Sequence, residues 1–327
     1  MPQIVITGAS GVLGSAVYNA FQSYGKESVI GLAHSRPASH LIQLDLLDGD
    51  RVEDLVNSLS IGDGDWIIHC AAERRPDIAE KDTQRCLNLN VSVPANLARL
   101  SALRRFTIIH ISTDYVFDGT SPPYSPNDET NPLQFYGRTK RDGERAGLRT
   151  AGSKFIVIRV PILYGPTPSN ADTAVNILLD VVQDQSGKKY TMDHFAIRYP
   201  TNVLDIAGFL VRLRDLGRPL PSIIHYSAGE PFTKYEMCLV FARILGFPHE
   251  HILPQVKPPQ GIAPSFVIQE IAHCLLRMFE DETPRPFNTQ LNVVETEQLF
   301  DGSGLESLGW NGFEEWWAKH LRAREVL

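Results

Sequence analysis

The feature that most constrains this chain is its opening, Ile4-Val-Ile-Thr-Gly8-Ala-Ser-Gly11-Val-Leu-Gly14. An apolar run too short for a helix runs into three glycines spaced three apart, and a helical pattern follows at once. Glycine lacks a Cβ, so backbone packs closely at such a turn and a pyrophosphate can approach it. The helix that opens there offers free N–H groups and the positive end of its dipole. The spacing is G-x-x-G-x-x-G rather than G-x-G-x-x-G, and a tight strand–helix turn without ligand is the plainer alternative. The strand before and the helix after are the context that a dinucleotide motif requires. Gly8, Ser10, Gly11, Val12, Leu13 and Gly14 are therefore read as cofactor-binding.

The rest of the first half keeps the same rhythm. Apolar runs at 3–7, 28–32, 66–70, 107–112 and 155–160 alternate with helical patterns at 12–24, 48–59, 82–103 and 135–148. Strand–helix alternation with short connections predicts a parallel sheet covered on both faces. The runs are apolar almost throughout, as strands buried on both sides must be. The expected fold is α/β: a doubly wound parallel sheet of Rossmann type over residues 1–160, with a smaller C-terminal α/β lobe over 161–327. In the second half prolines break the rhythm, and helical stretches at 172–182, 203–216 and 233–245 stand out. The chain is expected to cross between the lobes more than once.

Composition narrows the function classes. The 327 residues carry 31 Lys+Arg against 38 Asp+Glu, a net charge of −7. That argues against a general nucleic-acid binder, which would present a basic field. The apolar fraction of 43% excludes a largely disordered chain. No apolar run reaches the ~20 residues that span a bilayer, and the first residues read as a strand rather than a signal peptide. Cys70, Cys86, Cys238 and Cys274 lie too far apart for a disulfide framework or a metal site, which fits a reducing, cytosolic setting. The ten histidines show no metal-binding pattern.

Cofactor choice is read at the end of the second strand, where an acid would accept hydrogen bonds from a ribose 2′-hydroxyl. Here stands Ala33-His34-Ser35-Arg36, with no acid. Arg36, with Ser35 and His34 beside it, suits a 2′-phosphate and predicts NADP over NAD; a solvated loop arginine is the alternative. Asp45 and Leu46 would border the adenine, and Cys70, Ala71 and Ala72 follow the next strand toward the same cleft. Tyr136 and Lys140, four apart, share a helix face. An ammonium beside a phenol favours the phenolate, so this pair is read as a general acid and its activator. Ser112-Thr113-Asp114 sits at the C-terminal end of a predicted strand, where open α/β sheets bind ligands.

These blocks resemble the extended short-chain dehydrogenase/reductase superfamily. Ser112-Thr-Asp-Tyr-Val-Phe-Asp-Gly119 with Tyr136-Gly-Arg-Thr-Lys140 looks like the dTDP-4-dehydrorhamnose reductase family. By that resemblance Thr113, Tyr136 and Lys140 match its catalytic residues, Pro161, Ile162 and Leu163 flank the nicotinamide, and Asn90 lies on the helix before the active site. A closer resemblance is to the regulatory beta subunits of methionine adenosyltransferase. It rests on His69-Cys-Ala-Ala-Glu-Arg-Arg-Pro-Asp77, Arg159-Val-Pro-Ile-Leu-Tyr-Gly165, Met192-Asp-His194, Arg198-Tyr-Pro-Thr201, Thr233-Lys-Tyr-Glu-Met237 and Arg285-Pro-Phe-Asn-Thr-Gln-Leu291. It implies a reductase fold that binds NADP and associates with the catalytic subunit that makes S-adenosylmethionine. The alternative it leaves is an NADPH-dependent reductase of a keto-sugar nucleotide or related carbonyl.

Several departures bear on that choice. Sugar-nucleotide reductases carry a stacking tryptophan where this chain has Ile162, which offers no such platform. Glu73-Arg74-Arg75-Pro76 is charged where the reductases are not; a solvated loop, an anion-selecting wall and a partner contact are all open readings. Residues 265–281 form an apolar helical pattern without counterpart in either family. A helix docked on the small lobe or a partner, a buried helix, and a gene-model artefact are the three readings. The closing helical pattern at 312–321 carries Trp316 and Trp317, read as packing residues, and matches the beta-subunit tail poorly. His194 beside Asp193 is as readily structural as pocket-lining.

Overall fold

The computed structural model describes residues 1–36, 38–257 and 285–325. The helical pattern at 265–281 lies outside them.

Seven parallel strands form the central sheet: β1 (Gln3–Thr7), β2 (Ser28–Ala33), β3 (Ile42–Gln43), β4 (Trp66–His69), β5 (Thr107–Thr113), β6 (Lys154–Val160) and, from the second half of the chain, the strand Ile223–His225. Their spatial order runs from Ile223–His225 through β6, β5, β4, β1 and β2 to β3. The order reverses between β1 and β4, and the crevice that this opens at the strands' C-terminal ends is where such sheets accept ligands. The register puts Thr7 opposite His69 on one side and Leu32 on the other, so three strands deliver their following loops to one place.

Side-chain alternation divides the sheet's core in two. Ile4, Ile6, Ile68, Ile109, Ile156 and Ile158 face α1 (Val12–Tyr24) and the later helix Val203–Asp215, packing on Val17, Phe21, Phe209 and Leu210. Val5, Ile67, Ile108 and Val157 face the opposite layer with α2 (Gly49–Ser58) and the helix Val93–Arg104, through Val52, Val56, Leu97 and Ala98. Strands buried on both faces have no polar side, which is why the sequence showed runs rather than alternation. A third core gathers Tyr164, Val175, Leu178, Met237, Phe241 and Phe313 around Trp317. Trp317 is buried against Tyr164 and Phe241, and Trp316 stacks on His320. Both tryptophans are packing residues, as expected. Among the described residues no helix is long and apolar enough to cross a membrane.

Two expected helices differ. The stretch at 82–103 is helix only in parts: Thr83–Leu87, a π-helical turn Asn88–Ser92, then Val93–Arg104. Pro94 has no N–H for the carbonyl of Asn90, and Val93 donates back to Asn88. The freed Asn90 carbonyl lies against Gly143 of the helix Phe135–Leu148, where a Cβ would stand 2.1 Å from it. The stretch at 172–182 becomes Ile177–Gln183, because the Thr173 hydroxyl accepts from the N–H groups of Val175 and Asn176 and holds those residues in a turn.

Candidate functional site

A cavity of about 520 Å³ lies over the crevice at the C-terminal ends of β1, β2, β4, β5 and β6. Its floor is the glycine turn. Gly8 takes φ +68°, and Gly11 N–H donates to the Gly8 carbonyl at 2.8 Å. A Cβ at Gly14 would stand 2.1 Å from the Gly8 oxygen, and one at Gly8 would stand 2.9 Å from the Ala71 nitrogen. Gly11 caps α1 with no side-chain acceptor, so the first-turn N–H groups have no internal partner. Ser10, Gly11, Val12, Leu13 and Gly14 all line the cavity. Backbone this tightly drawn, with free donors at its end, fits a pyrophosphate.

The other predicted residues are brought to the same cavity with one exception. His34, Ser35, Arg36, Asp45 and Leu46 line its β2 side; Cys70, Ala71 and Ala72 its β4 side; Thr113, Tyr136 and Lys140 its far end, with Pro161, Ile162 and Leu163 beside them. Asn90 does not line it. It is buried behind the wall, where its side chain accepts from Glu73 N–H at 2.9 Å and donates to the Glu73 carbonyl at 3.0 Å and Thr139 Oγ1 at 3.1 Å. Asn90 thus ties the Ala72–Arg75 loop to the helix carrying Tyr136 and Lys140. Ile162 divides its surface between the cavity and the third core.

The chemistry at the far end differs from expectation in one respect. Lys140 is buried, and its ammonium donates to the Ile111 carbonyl at 2.8 Å and lies 3.3 Å from His110 Nε2. Burial lowers it to about 8, against the pull of Glu144. Tyr136 is not lowered. Desolvation raises its phenol well above the ordinary value, opposed first by a hydrogen bond with Thr113. Burial thus outweighs whatever favours the phenolate, and the desolvated Lys140 ammonium takes the Ile111 carbonyl as its hydrogen-bond partner. Asp114 is buried too and is pushed up to about 6, with Thr289 at 2.5 Å and Thr113 at 3.1 Å as its hydroxyl donors. Cys70, pushed up to about 12 by burial, stays a thiol.

Cations outnumber acids on the wall. Arg36, Arg74, Arg75, Arg85, Lys140, Arg198, Lys234 and Arg285 face Asp45, Glu73, Asp114 and Asp172. A chain of net charge −7 so reserves a locally positive cavity, suited to a ligand with several phosphates. Arg198, Lys234, Arg285 and Asp172 escaped the reading of the sequence as site residues, since each arrives from the second half of the chain. Arg198 is buried and held by Asp193 at 2.8 Å. His194 is not on the wall; it bonds the Thr233 hydroxyl at 2.9 Å and packs on Tyr235.

Beneath the cavity the sheet holds neutral imidazoles. His69 meets Thr7 Oγ1 at 2.7 Å and stacks on His110. Burial lowers His69 and His225 to about 3, and His110 well below its ordinary value. Between pH 6.5 and 3 the unfolded chain binds these protons and the folded chain does not, so stability falls as pH falls through that window. Asp114 opposes them, since its raised pKa lets the fold keep a proton up to about pH 6. Urea unfolding from pH 7 to 4.5 should show this loss. His69→Asn should reduce proton uptake on unfolding by about one; an unchanged slope would remove His69 from the account.

Comparison with known proteins gives the family and the fold. The family model described as RmlD substrate binding domain matches residues 2–306. Methionine adenosyltransferase 2 subunit beta of Xenopus tropicalis is 39% identical over 298 residues, covering 90% of this chain and 81% of that protein. The dTDP-4-dehydrorhamnose reductase of Mycolicibacterium smegmatis is 31% identical over 260 residues, covering 77% and 72%. Among solved structures, the dTDP-4-dehydrorhamnose reductase of Bacillus anthracis in complex with NADP superposes with a TM-score of 0.75 at 20% identity, covering 100% of this chain and 99% of that one.

Proposed function

Because the chain belongs to the RmlD substrate binding domain family, and within it to the methionine adenosyltransferase beta subunits, we propose that it is an NADP-binding regulatory subunit of methionine adenosyltransferase. In this role it would support S-adenosylmethionine synthesis in the cytoplasm, as the partner of the catalytic subunit. The observation that carries the reading is the 39% identity to a beta subunit over 90% of this chain. Ile162 in place of a stacking aromatic favours the same reading. The division into a nucleotide-binding part over 1–160 and a smaller lobe over 161–327 belongs to this proposal as well, with the chain crossing back at Val203–Asp215 and Ile223–His225 to complete the first part's sheet and its helical layer.

For the cofactor, the glycine turn would hold the pyrophosphate and Arg36, with Ser35 and His34, the 2′-phosphate. Asp45 and Leu46 would border the adenine. Cys70–Ala72 and Pro161–Leu163 would flank the remaining half, and Tyr136 and Lys140 would stand at the nicotinamide ribose. NADP supplies a hydride acceptor or donor there when bound. A second reading is kept by one observation: Thr113, Tyr136 and Lys140 line one cavity. On that reading the protein is an NADPH-dependent carbonyl reductase, with Tyr136 as proton donor and its raised pKa holding that proton.

One experiment separates them. The purified chain is mixed with the catalytic subunit, with and without NADP, and followed by size-exclusion chromatography and by S-adenosylmethionine formation. Co-elution with altered kinetics is expected, and calorimetry should show NADP binding tighter than NAD, with the difference lost in Arg36→Ala. Absence of association and of any kinetic effect would refute the regulatory reading. NADPH oxidation across a carbonyl panel, lost in Tyr136→Phe, would favour the reductase.

A further inference from the structure

The end of β2 has no acid, and on sequence alone Arg36 faces an incoming 2′-phosphate without competition. The fold changes this. Asp172, 136 residues away in sequence, reaches Arg36 across the cavity, with Oδ1 3.1 Å from Nη1. Its other oxygen accepts from the Thr167 hydroxyl at 2.9 Å, and its N–H donates to the Ser169 carbonyl. The carboxylate is thus held by its own turn and stays at the wall whether or not Arg36 does. Burial pushes its acidity down, but the Thr167 hydroxyl and the guanidiniums of Arg36 and Arg74 outweigh that and keep it ionised. Both residues line the cavity.

We propose that Asp172 is a nucleotide-specificity residue, which competes with a 2′-phosphate for Arg36 and so narrows the preference for a phosphorylated over an unphosphorylated dinucleotide. The inference rests on the NADP-binding reading above. A phosphate and the Asp172 carboxylate seek the same planar fork of donors and repel each other when both are near it. An unphosphorylated ribose meets no such repulsion, and its 2′-hydroxyl can donate to a carboxylate. The size of the effect is bounded by exposure. The Arg36 side chain is 52% exposed and Asp172 15%, so water and salt screen the pair and removing it is worth a few-fold rather than orders of magnitude.

The test is calorimetry on the full chain with NADP, NAD and adenosine 2′,5′-bisphosphate. Asp172→Asn keeps an acceptor for Thr167 and removes the charge. It is expected to tighten both 2′-phosphate ligands about three- to five-fold, to leave NAD unchanged or weaker, and to lose the gain at ~0.5 M salt. In an Arg36→Ala background the same change should give no gain. Thermal melting checks folding, and Asp172→Ser replaces the variant if its melting temperature falls. An unchanged NADP-to-NAD ratio in a folded variant, or an equal gain without Arg36, overturns the inference and leaves NADP binding standing. A wild-type chain that binds neither dinucleotide overturns both.

Discussion

Gly14→Ala is expected to abolish nucleotide binding and to cost about 2–3 kcal/mol of stability. In an ordinary helix the change would help, because alanine is the better helix former by about 1 kcal/mol. Here the added Cβ would stand 2.1 Å from the Gly8 oxygen and 2.7 Å from its carbonyl carbon. Both are backbone atoms of a turn whose φ is +68°, so neither can rotate aside. Relief requires α1 to move off β1, which breaks the packing of Val17 and Phe21 and carries away the N–H groups at the cavity floor. Gly11→Ala is the graded control. Its Cβ would meet the same oxygen at 3.2 Å, a contact that a small shift accommodates, so a milder loss is expected. Calorimetry with NADP and thermal melting read both variants, and wild-type binding by a folded Gly14→Ala protein would show that the turn is not the anion cradle.

The second large effect is expected at Glu144. Arg159 on β6 and Glu144 on the helix Phe135–Leu148 form an ion pair at 2.8 Å with both side chains almost wholly buried, at 3% and 2% exposure. Ser112 donates to the same carboxylate, and Arg159 also donates to the Pro126 carbonyl at 3.0 Å. Glu144→Ala leaves a desolvated guanidinium without its counter-charge, and about 3–5 kcal/mol of stability should go with it. The double variant Glu144→Ala, Arg159→Met should lose less than the sum of the singles, since removing both charges also removes their desolvation cost. Urea unfolding of the four proteins measures the coupling; additive losses would mean that the pair contributes nothing as a pair. The position matters beyond stability, because this helix carries Tyr136 and Lys140 and the pair fixes it against β5 and β6.

Legibility in the sequence followed the range of the forces involved. The glycine turn, the five long strands and α1 were readable because each rests on local spacing: three glycines, apolar runs, a period of 3.6. The break in the helical pattern at 82–103 was not readable. Pro94 was visible, but the place to which the freed Asn90 carbonyl turns depends on Gly143, fifty-three residues further on. Lys140 lines the cavity, yet its partner is not legible in the sequence. Helical spacing put Tyr136 on the same face, while burial directs the ammonium to the Ile111 carbonyl on a neighbouring strand. Trp316 and Trp317 were readable as packing, although the core that they complete was not.

What the sequence by itself determined is the class of fold and the crevice where it must open, because strand periodicity and a glycine-lined turn are properties of contiguous residues. It also determined which residues enter that crevice from the strand ends of the first half. Only the tertiary structure decided the electrostatics there. Arg36 meets Asp172, Arg198 is buried beside Asp193, and Lys140 settles on β5. Charges act through space and through the local dielectric, and neither is written in sequence distance.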